Sequence, residues 1–265
     1  MSEHHQLPSI AELYDLRGRS AVVTGAAQGI GAAIARRLAE AGADLFLIDI
    51  DETHLCATRD TIKKWCTKVE IRIADVAQED ALTSACKDCV ELFEKIDIWV
   101  NNAGIAPRSP FLEISSAEWD KVLDLNLRGS FIGAKCAART MIQRGRGGVI
   151  VNIASSTVNR VTSNPAHYRV SKAGLVALTQ SLAVELGSSG IRVLAVAPTL
   201  SATPGVQQLR NLGFSAGLDE FIRRLPMKRI ATPDEVARVV LFAVSDMAAF
   251  MTGSVLTVDG GETHK

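Results

Sequence analysis

The sequence predicts an α/β fold: a doubly wound parallel sheet of about seven strands, helices on both faces, in a single domain. Three observations predict it. Short β-branched runs alternate with longer helical patterns along the whole chain, which is the signature of strand–helix–strand units. The runs are apolar on both sides, as strands covered on two faces must be. The 265 residues are close to the limit of one hydrophobic core, and no repeat, linker or low-complexity stretch divides them.

Seven runs qualify as strands: 20–24, 45–50, 69–74, 96–100, 149–153, 192–197 and 255–258. Their connections are long enough for right-handed helical crossovers. Two helix starts are legible as capping boxes. Ser115 precedes Glu118 by three residues, and Thr232 precedes Glu235, with Pro233 at the first helical position. Residues 116–143 and 168–187 read as long helices with apolar residues on more than one face. Residues 1–15 form a polar N-terminal extension without the apolar core of a signal peptide, and 16–265 form the domain. Within it, residues 199–225 hold Pro204, Gly205, Gly213 and Gly217 among Leu and Phe. A stretch this long and irregular reads as a mobile, partly helical flap over a pocket.

Composition excludes several classes. Lys plus Arg and Asp plus Glu each number 29, so no net charge favours nucleic acid. No apolar run reaches the roughly 18 residues of a membrane span. Five scattered cysteines suit reduced thiols in a cytoplasm better than a disulfide framework. Cys86 and Cys89 match C-x-x-C, but they lie in an amphipathic helical pattern at 79–94 and read as two packed thiols. Without a His or Cys cluster, no metal is expected.

The first strand runs into Thr24-Gly25-Ala26-Ala27-Gln28-Gly29-Ile30-Gly31 and then a helical pattern. Glycines there let the backbone approach a pyrophosphate, and the helix N-terminus offers free N–H groups and partial positive charge. Eighteen residues after Gly31, Asp49 ends the second strand. A carboxylate there accepts the ribose hydroxyls of adenosine and repels a 2′-phosphate. No Arg or Lys lies between Gly25 and Gly31, so NAD is expected in preference to NADP.

Tyr168 and Lys172 stand four apart on a helix, so phenol and ammonium occupy adjacent turns of one face. Ser155 follows the strand at 149–153, at the end where such sheets collect ligands. With the glycine turn, Asn101-Asn102-Ala103-Gly104 and Asn126, this set resembles the short-chain dehydrogenase/reductase family, in its single-domain branch of about 250 residues. The likeness spans Leu16 to Gly261 and includes Asp75-Val76 and Asp259-Gly260-Gly261.

The resemblance implies a Rossmann-type domain and an oxidoreductase moving hydride between NAD(H) and a secondary alcohol or ketone. It implies Tyr168 as general acid/base, Lys172 on the nicotinamide ribose, Ser155 on the substrate oxygen, and Asn126 supporting a water-linked proton path to Lys172. It implies cofactor contacts at Gly25, Gln28, Gly29, Ile30, Gly31, Asp49, Asp75, Val76, Asn102, Ala103, Gly104, Pro198 and Thr203. It further implies a small-molecule alcohol or ketone substrate and assembly into a homodimer or homotetramer. A free phenol ionises near pH 10, and a base working near neutrality needs roughly 3–4 kcal/mol of phenolate stabilisation. One ammonium about 4 Å away supplies on the order of 4 kcal/mol before desolvation is subtracted, and oxidised nicotinamide adds a second positive charge, so Lys172 with NAD⁺ bound is expected to make Tyr168 more acidic.

Two departures from the family pattern stand out. Thr199 replaces the glycine that usually follows Pro198, and Ser201 stands where a branched apolar residue is common. Ser156-Thr157-Val158-Asn159-Arg160 also lacks the family's glycine after the serine, so a more polar or bulkier pocket floor is expected. The pocket walls are expected at 105–108, 156–160, 164–167 and 199–225, with Leu209 and Phe214 among the apolar members and Arg108 or Arg160 as candidate carboxylate receptors. His167 is expected at a pocket rim or interface, about 100° from Tyr168 around the helix. Two other readings are an epimerase or dehydratase on the same scaffold, and a non-catalytic dinucleotide-binding scaffold. The turn spacing counts against the first, and the intact Ser155, Tyr168, Lys172 and Asn126 against the second.

Overall fold

The computed structural model describes residues 7–65, 68–160, 165–211 and 215–264, and of 208–211 and 215 the backbone alone. Cys66, Asn164, Gly213, Phe214 and the Leu209 side chain, all singled out in the sequence, lie outside the described residues. Seven strands form the sheet: β1 (Ser20–Thr24), β2 (Asp44–Asp49), β3 (Val69–Ile73), β4 (Ile98–Asn101), β5 (Gly148–Ile153), β6 (Ile191–Pro198) and β7 (Val255–Val258). The order is β3-β2-β1-β4-β5-β6-β7 and every pairing is parallel. Ten helices accompany them among the described residues: α1 (Ile10–Leu13), α2 (Gly29–Glu40), α3 (Glu52–Ile62), α4 (Glu79–Phe93), α5 (Ser116–Leu123), α6 (Gly129–Arg144), α7 (Ala166–Leu186), α8 (Pro204–Asn211), α9 (Ser215–Arg224) and α10 (Pro233–Val244).

Period-two alternation sends successive strand residues to opposite faces. Ala21, Val23, Leu45, Leu47, Val100, Val151 and Val196 pack under α2, α3 and α10. Val22, Phe46, Ile48, Trp99, Ile150 and Val193 pack under α4, α6 and α7. Both faces are therefore covered, which is why the strands read as apolar on both sides. Cys86 and Cys89 are buried on the second face, as packed thiols. The strand order reverses between β1 and β4, which opens a crevice at the carboxyl ends of those strands.

Two helix details differ from the sequence reading. The helix expected over 116–143 is interrupted by one π-helical turn, Asp124–Arg128, between α5 and α6. A wide turn of this kind inserts one residue without breaking the apolar stripe, so periodicity does not reveal it. It carries Asn126. The box at Thr232 is complete, with Glu235 accepting from Thr232 N at 2.8 Å. At Ser115 only the forward half forms, Glu118 N donating to Ser115 Oγ at 3.1 Å, because the Glu118 side chain reaches His167 instead.

A buried polar chain crosses the second face. Trp99 Nε1 donates to Asn101 Oδ1 at 2.6 Å, and Asn101 Nδ2 donates to Ser130 O at 3.0 Å and Asn152 Oδ1 at 2.8 Å. Asn152 Nδ2 continues to Thr179 Oγ1 on α7 at 2.9 Å. Every member is satisfied, so the chain ties β4 and β5 to α6 and α7 at no desolvation cost. Replacing Asn101 by Leu orphans two buried groups, Trp99 Nε1 and Asn152 Oδ1. The substitution is expected to destabilise the fold by about 3 kcal/mol or more, read as a lower midpoint in urea unfolding at unchanged slope.

Candidate active site

The glycine turn sits where two strand ends meet. Thr24 Oγ1 accepts from Asn102 N at 3.0 Å and from Ala103 N at 3.1 Å. The Asn102 carboxamide donates back to Thr24 O at 2.9 Å and Gly25 O at 3.0 Å. Gly31 is held so tightly that a Cβ there would fall 2.0 Å from Gly25 O, while Gly25 has φ +65°. Side chains are excluded at both places by contact and by backbone conformation. Gln28 caps α2 in extended conformation with no side-chain bond to the helix, so the first N–H groups face the crevice. A Cβ on Gly29 would lie 3.3 Å from Thr203 Cγ2, which puts Thr203 over the same turn.

Asp49 closes one edge of this crevice. Its Oδ2 accepts from Ala27 N at 2.9 Å and its Oδ1 from Ile50 N at 2.7 Å, which fixes the carboxylate beside the glycine turn. Asp75 turns the chain after β3, accepting from Ala77 N at 2.9 Å. Val76 is buried, and its carbonyl lies 2.7 Å from where a Cβ on Gly129 would stand. The cradle that lacks side chains, the free helix N-terminus and the fixed carboxylate together fit a dinucleotide.

The catalytic candidates converge on one cavity of about 610 Å³, lined by Ser155, Tyr168, Lys172, Gly104, Pro198 and Thr203 among others. Ser155 follows β5 in extended conformation, its Oγ accepting from Thr157 Oγ1 at 3.1 Å, and it hydrogen-bonds the Tyr168 phenol. The Lys172 ammonium is buried. It donates to Ile153 O at 2.7 Å and lies 5.9 Å from the centre of the Tyr168 ring. Asn126, on the π-helical turn, is fully buried, accepts from Ile105 N at 2.8 Å and donates to Ile105 O at 2.9 Å and Ser171 Oγ at 3.1 Å. A Cβ on Gly104 would come within 3.1 Å of Asn126 Oδ1 and 3.6 Å of Lys172 Nζ, so this glycine brings the two residues together.

In the dinucleotide-free site the electrostatics are set by burial. Burial pushes the Tyr168 phenol above its ordinary pKa, opposed by the Ser155 hydrogen bond. Burial also brings the Lys172 ammonium down to about 8. Lys172 donates to a carbonyl and lies over the ring, and without a bound dinucleotide desolvation is the largest influence on the phenol.

The walls follow the sequence reading in part. Ile105, Ala106, Arg108, Ser156, Thr157, Pro165, Thr199, Leu200 and Ser201 line the cavity, and Val206 on α8 with Leu218 and Phe221 on α9 close over it. His167 does not stand at a rim. It is fully buried, its Nδ1 accepting from Tyr168 N at 2.8 Å and its Nε2 lying 2.8 Å from Glu118 Oε1. The ring is thus the Nε2–H tautomer, pinning α7 to α5. Hydrogen bonds from Ser109 and His167 hold the Glu118 carboxyl below its usual range. Thr199 does not strain its turn, since Glu94 and Lys228 are the only non-glycine residues with positive φ among those described. Its hydroxyl donates to Glu262 Oε2 at 2.6 Å, and Ser156 Oγ donates to the same oxygen at 2.8 Å. Arg160 turns to Glu262 as well, at 3.5 Å. Glu262 escaped the sequence reading; the hydroxyl of Thr199, where the family usually has glycine, was its only trace.

A family model described as enoyl-(acyl carrier protein) reductase matches residues 25–263. The cis-4-hydroxycyclohexanecarboxylate dehydrogenase of Sinomonas cyclohexanicum is 40% identical over 251 residues, 92% of this chain and 96% of that protein. The crystal structure of levodione reductase superposes with a TM-score of 0.89 at 35% identity, covering 94% of this chain and 99% of that one. An NAD⁺-bound xylitol dehydrogenase superposes at 0.87 with 32% identity, covering 93% and 99%.

The chain has two tyrosines, so phenolate absorbance of wild type minus that of Tyr168→Phe isolates this group. In the dinucleotide-free protein it is expected to ionise only above about pH 10, because its acid form is the one burial favours. A midpoint below that value in the free protein contradicts the geometry.

Proposed function

The chain belongs to the short-chain dehydrogenase/reductase family, and from that premise we propose that it interconverts a secondary alcohol and a ketone with NAD. The carrying observation is that Ser155, Tyr168 and Lys172 share one cavity beside the glycine turn. A dinucleotide held there supplies the hydride acceptor for oxidation or the donor for reduction. Gly25, Gln28, Gly29, Ile30 and Gly31 would take the pyrophosphate, Asp49 the adenosine ribose, Asp75 and Val76 the adenine. Asn102, Ala103, Gly104, Lys172, Pro198 and Thr203 would line the nicotinamide end.

Tyr168 takes the hydroxyl proton during oxidation and returns it during reduction. Ser155 hydrogen-bonds the substrate oxygen and keeps it in reach of the phenol. Lys172 holds positive charge under the ring, and its buried ammonium favours phenolate once a second cation shares the site. Asn126 keeps the backbone at Ile105 and the Ser171 hydroxyl in place behind Lys172, and so supports proton exchange toward solvent. The helices α8 and α9 act as a flap that excludes water from the reacting atoms. Asp49 supports NAD over NADP, since a fixed carboxylate repels a 2′-phosphate.

The relatives act, by their names, on a hydroxycyclohexanecarboxylate, levodione and xylitol, which agrees with a secondary carbinol as the reacting group. Association into a dimer or tetramer is expected from the exposed apolar side chains Phe131 on α6 and Val170 and Val184 on α7. Sedimentation at micromolar concentration checks it, and a pure monomer refutes it.

Tyr168→Phe is expected to bind NADH normally and to lose turnover by several orders of magnitude, followed at 340 nm with secondary alcohols. Retention of more than about a tenth of the rate contradicts the role of Tyr168. Asp49→Ser is expected to lower kcat/KM with NAD by about tenfold and to raise it with NADP, since a ribose contact and a repulsion disappear together.

A further inference from the structure

We propose that Glu262 selects the substrate: its carboxylate accepts a hydrogen bond from a second hydroxyl, so the site prefers a diol or polyol to a lone alcohol or a hydroxy acid. This rests on the reading of Tyr168 as the acid/base of an alcohol–ketone reaction. Glu262 opens the short helical turn Glu262–His264 that follows β7. Its side chain is 4% exposed and lines the same cavity as Ser155 and Tyr168.

The carboxylate is built into place. Ser156 at the end of β5 and Thr199 at the end of β6 both donate to Oε2, at 2.8 and 2.6 Å. The turn that carries it is closed by Asp259, which accepts from Gly261 N at 2.9 Å and Thr263 N at 2.8 Å. Two hydroxyls from the segments after β5 and β6 thus hold one oxygen of Glu262, and the Thr199 hydroxyl would be missing if the family's usual glycine stood there. Ser156 directly follows Ser155, so the residue that anchors the carboxylate is the chain neighbour of a candidate catalytic residue in the same cavity.

Its acceptor capacity is not used up. A carboxylate offers about four lone-pair directions, and the two hydroxyl bonds fall on the same oxygen. The other oxygen, Oε1, has the Arg160 guanidinium at 3.5 Å, while Arg160 spends a hydrogen bond on the Glu262 carbonyl at 3.4 Å. Arg160 at 3.5 Å leaves Oε1 with unused lone-pair directions, so a ligand that brings a donor gains a hydrogen bond that a ligand without one forgoes. A substrate hydroxyl brings such a donor. An anionic group faces a like charge instead, and Arg160, already opposite Glu262, does not serve as its receptor.

The test uses the full-length protein with NAD and three probes that share a ring: cyclohexanol, cyclohexane-1,2-diol and 2-hydroxycyclohexane-1-carboxylate. Wild type is expected to favour the diol over cyclohexanol by about tenfold or more in kcat/KM, as a charge-assisted hydrogen bond provides, and to turn over the hydroxy acid least. In Glu262→Ala the diol preference is expected to fall close to unity and the hydroxy acid to gain. NADH fluorescence titration reports whether each variant retains a formed cofactor site. Should the alanine variant fail to fold, Glu262→Gln, which keeps the shape, reads the same ratio and is expected to lower it. Thr199→Val, which frees the carboxylate on one side, is also expected to lower it. A wild-type ratio near unity, or a ratio unchanged in the variants while all rates fall together, overturns the proposal and leaves Glu262 a structural strut. Absence of any turnover with bound NADH overturns the alcohol–ketone reading itself.

Discussion

The Thr24 hydroxyl and the Asn102 carboxamide, locked against each other where β1 and β4 diverge, are the constraint on which the rest of the site depends. A parallel sheet splits at this point because its strand order reverses, and the open ends expose backbone groups that need partners. Thr24 and Asn102 satisfy four of these groups with two side chains. The glycine turn is thereby pressed flat against the following helix, to the point where Gly31 has no room for a methyl group. That compression leaves the N-terminus of α2 bare and turned into the crevice.

The second half of the site hangs on a helix irregularity. The π-helical turn at Asp124–Arg128 swings Asn126 under the loop after β4, where it bonds both backbone groups of Ile105. Gly104 then lies between Asn126 and Lys172. On the opposite side, His167 ties the first turn of α7 to Glu118 on α5. Tyr168 and Lys172 are therefore held from two directions, by elements far apart in the chain. Such double support is what a proton-transfer group needs, since its usefulness falls off steeply with misplacement.

Burial dominates the electrostatics of Tyr168 in the dinucleotide-free site. A phenol so enclosed favours its acid form, opposed by the Ser155 hydrogen bond. On the proposed function, positive charge from a bound dinucleotide would join Lys172 and favour the phenolate. Around this centre, Thr199, which departs from the family pattern, is not a neutral replacement. Ser156 and Thr199 both spend their hydroxyls on Glu262, and at Thr199 an anchor for a carboxylate stands where glycine would offer none.

Strand positions, the parallel sheet, the glycine turn, the Tyr168–Lys172 spacing and the Thr232 capping box were determined by the sequence itself. Each is the product of residues within a few positions of one another, and local sterics and periodicity reach that far. The tertiary structure alone decided the burial of His167, the π-helical turn under Asn126, the orientation of Lys172 toward Ile153 and the presence of Glu262 in the cavity. Those features join groups 49, 21, 19 and 106 positions apart. Contacts at such separations depend on how the layers stack, and no period or motif in a linear chain encodes which side chains will meet there.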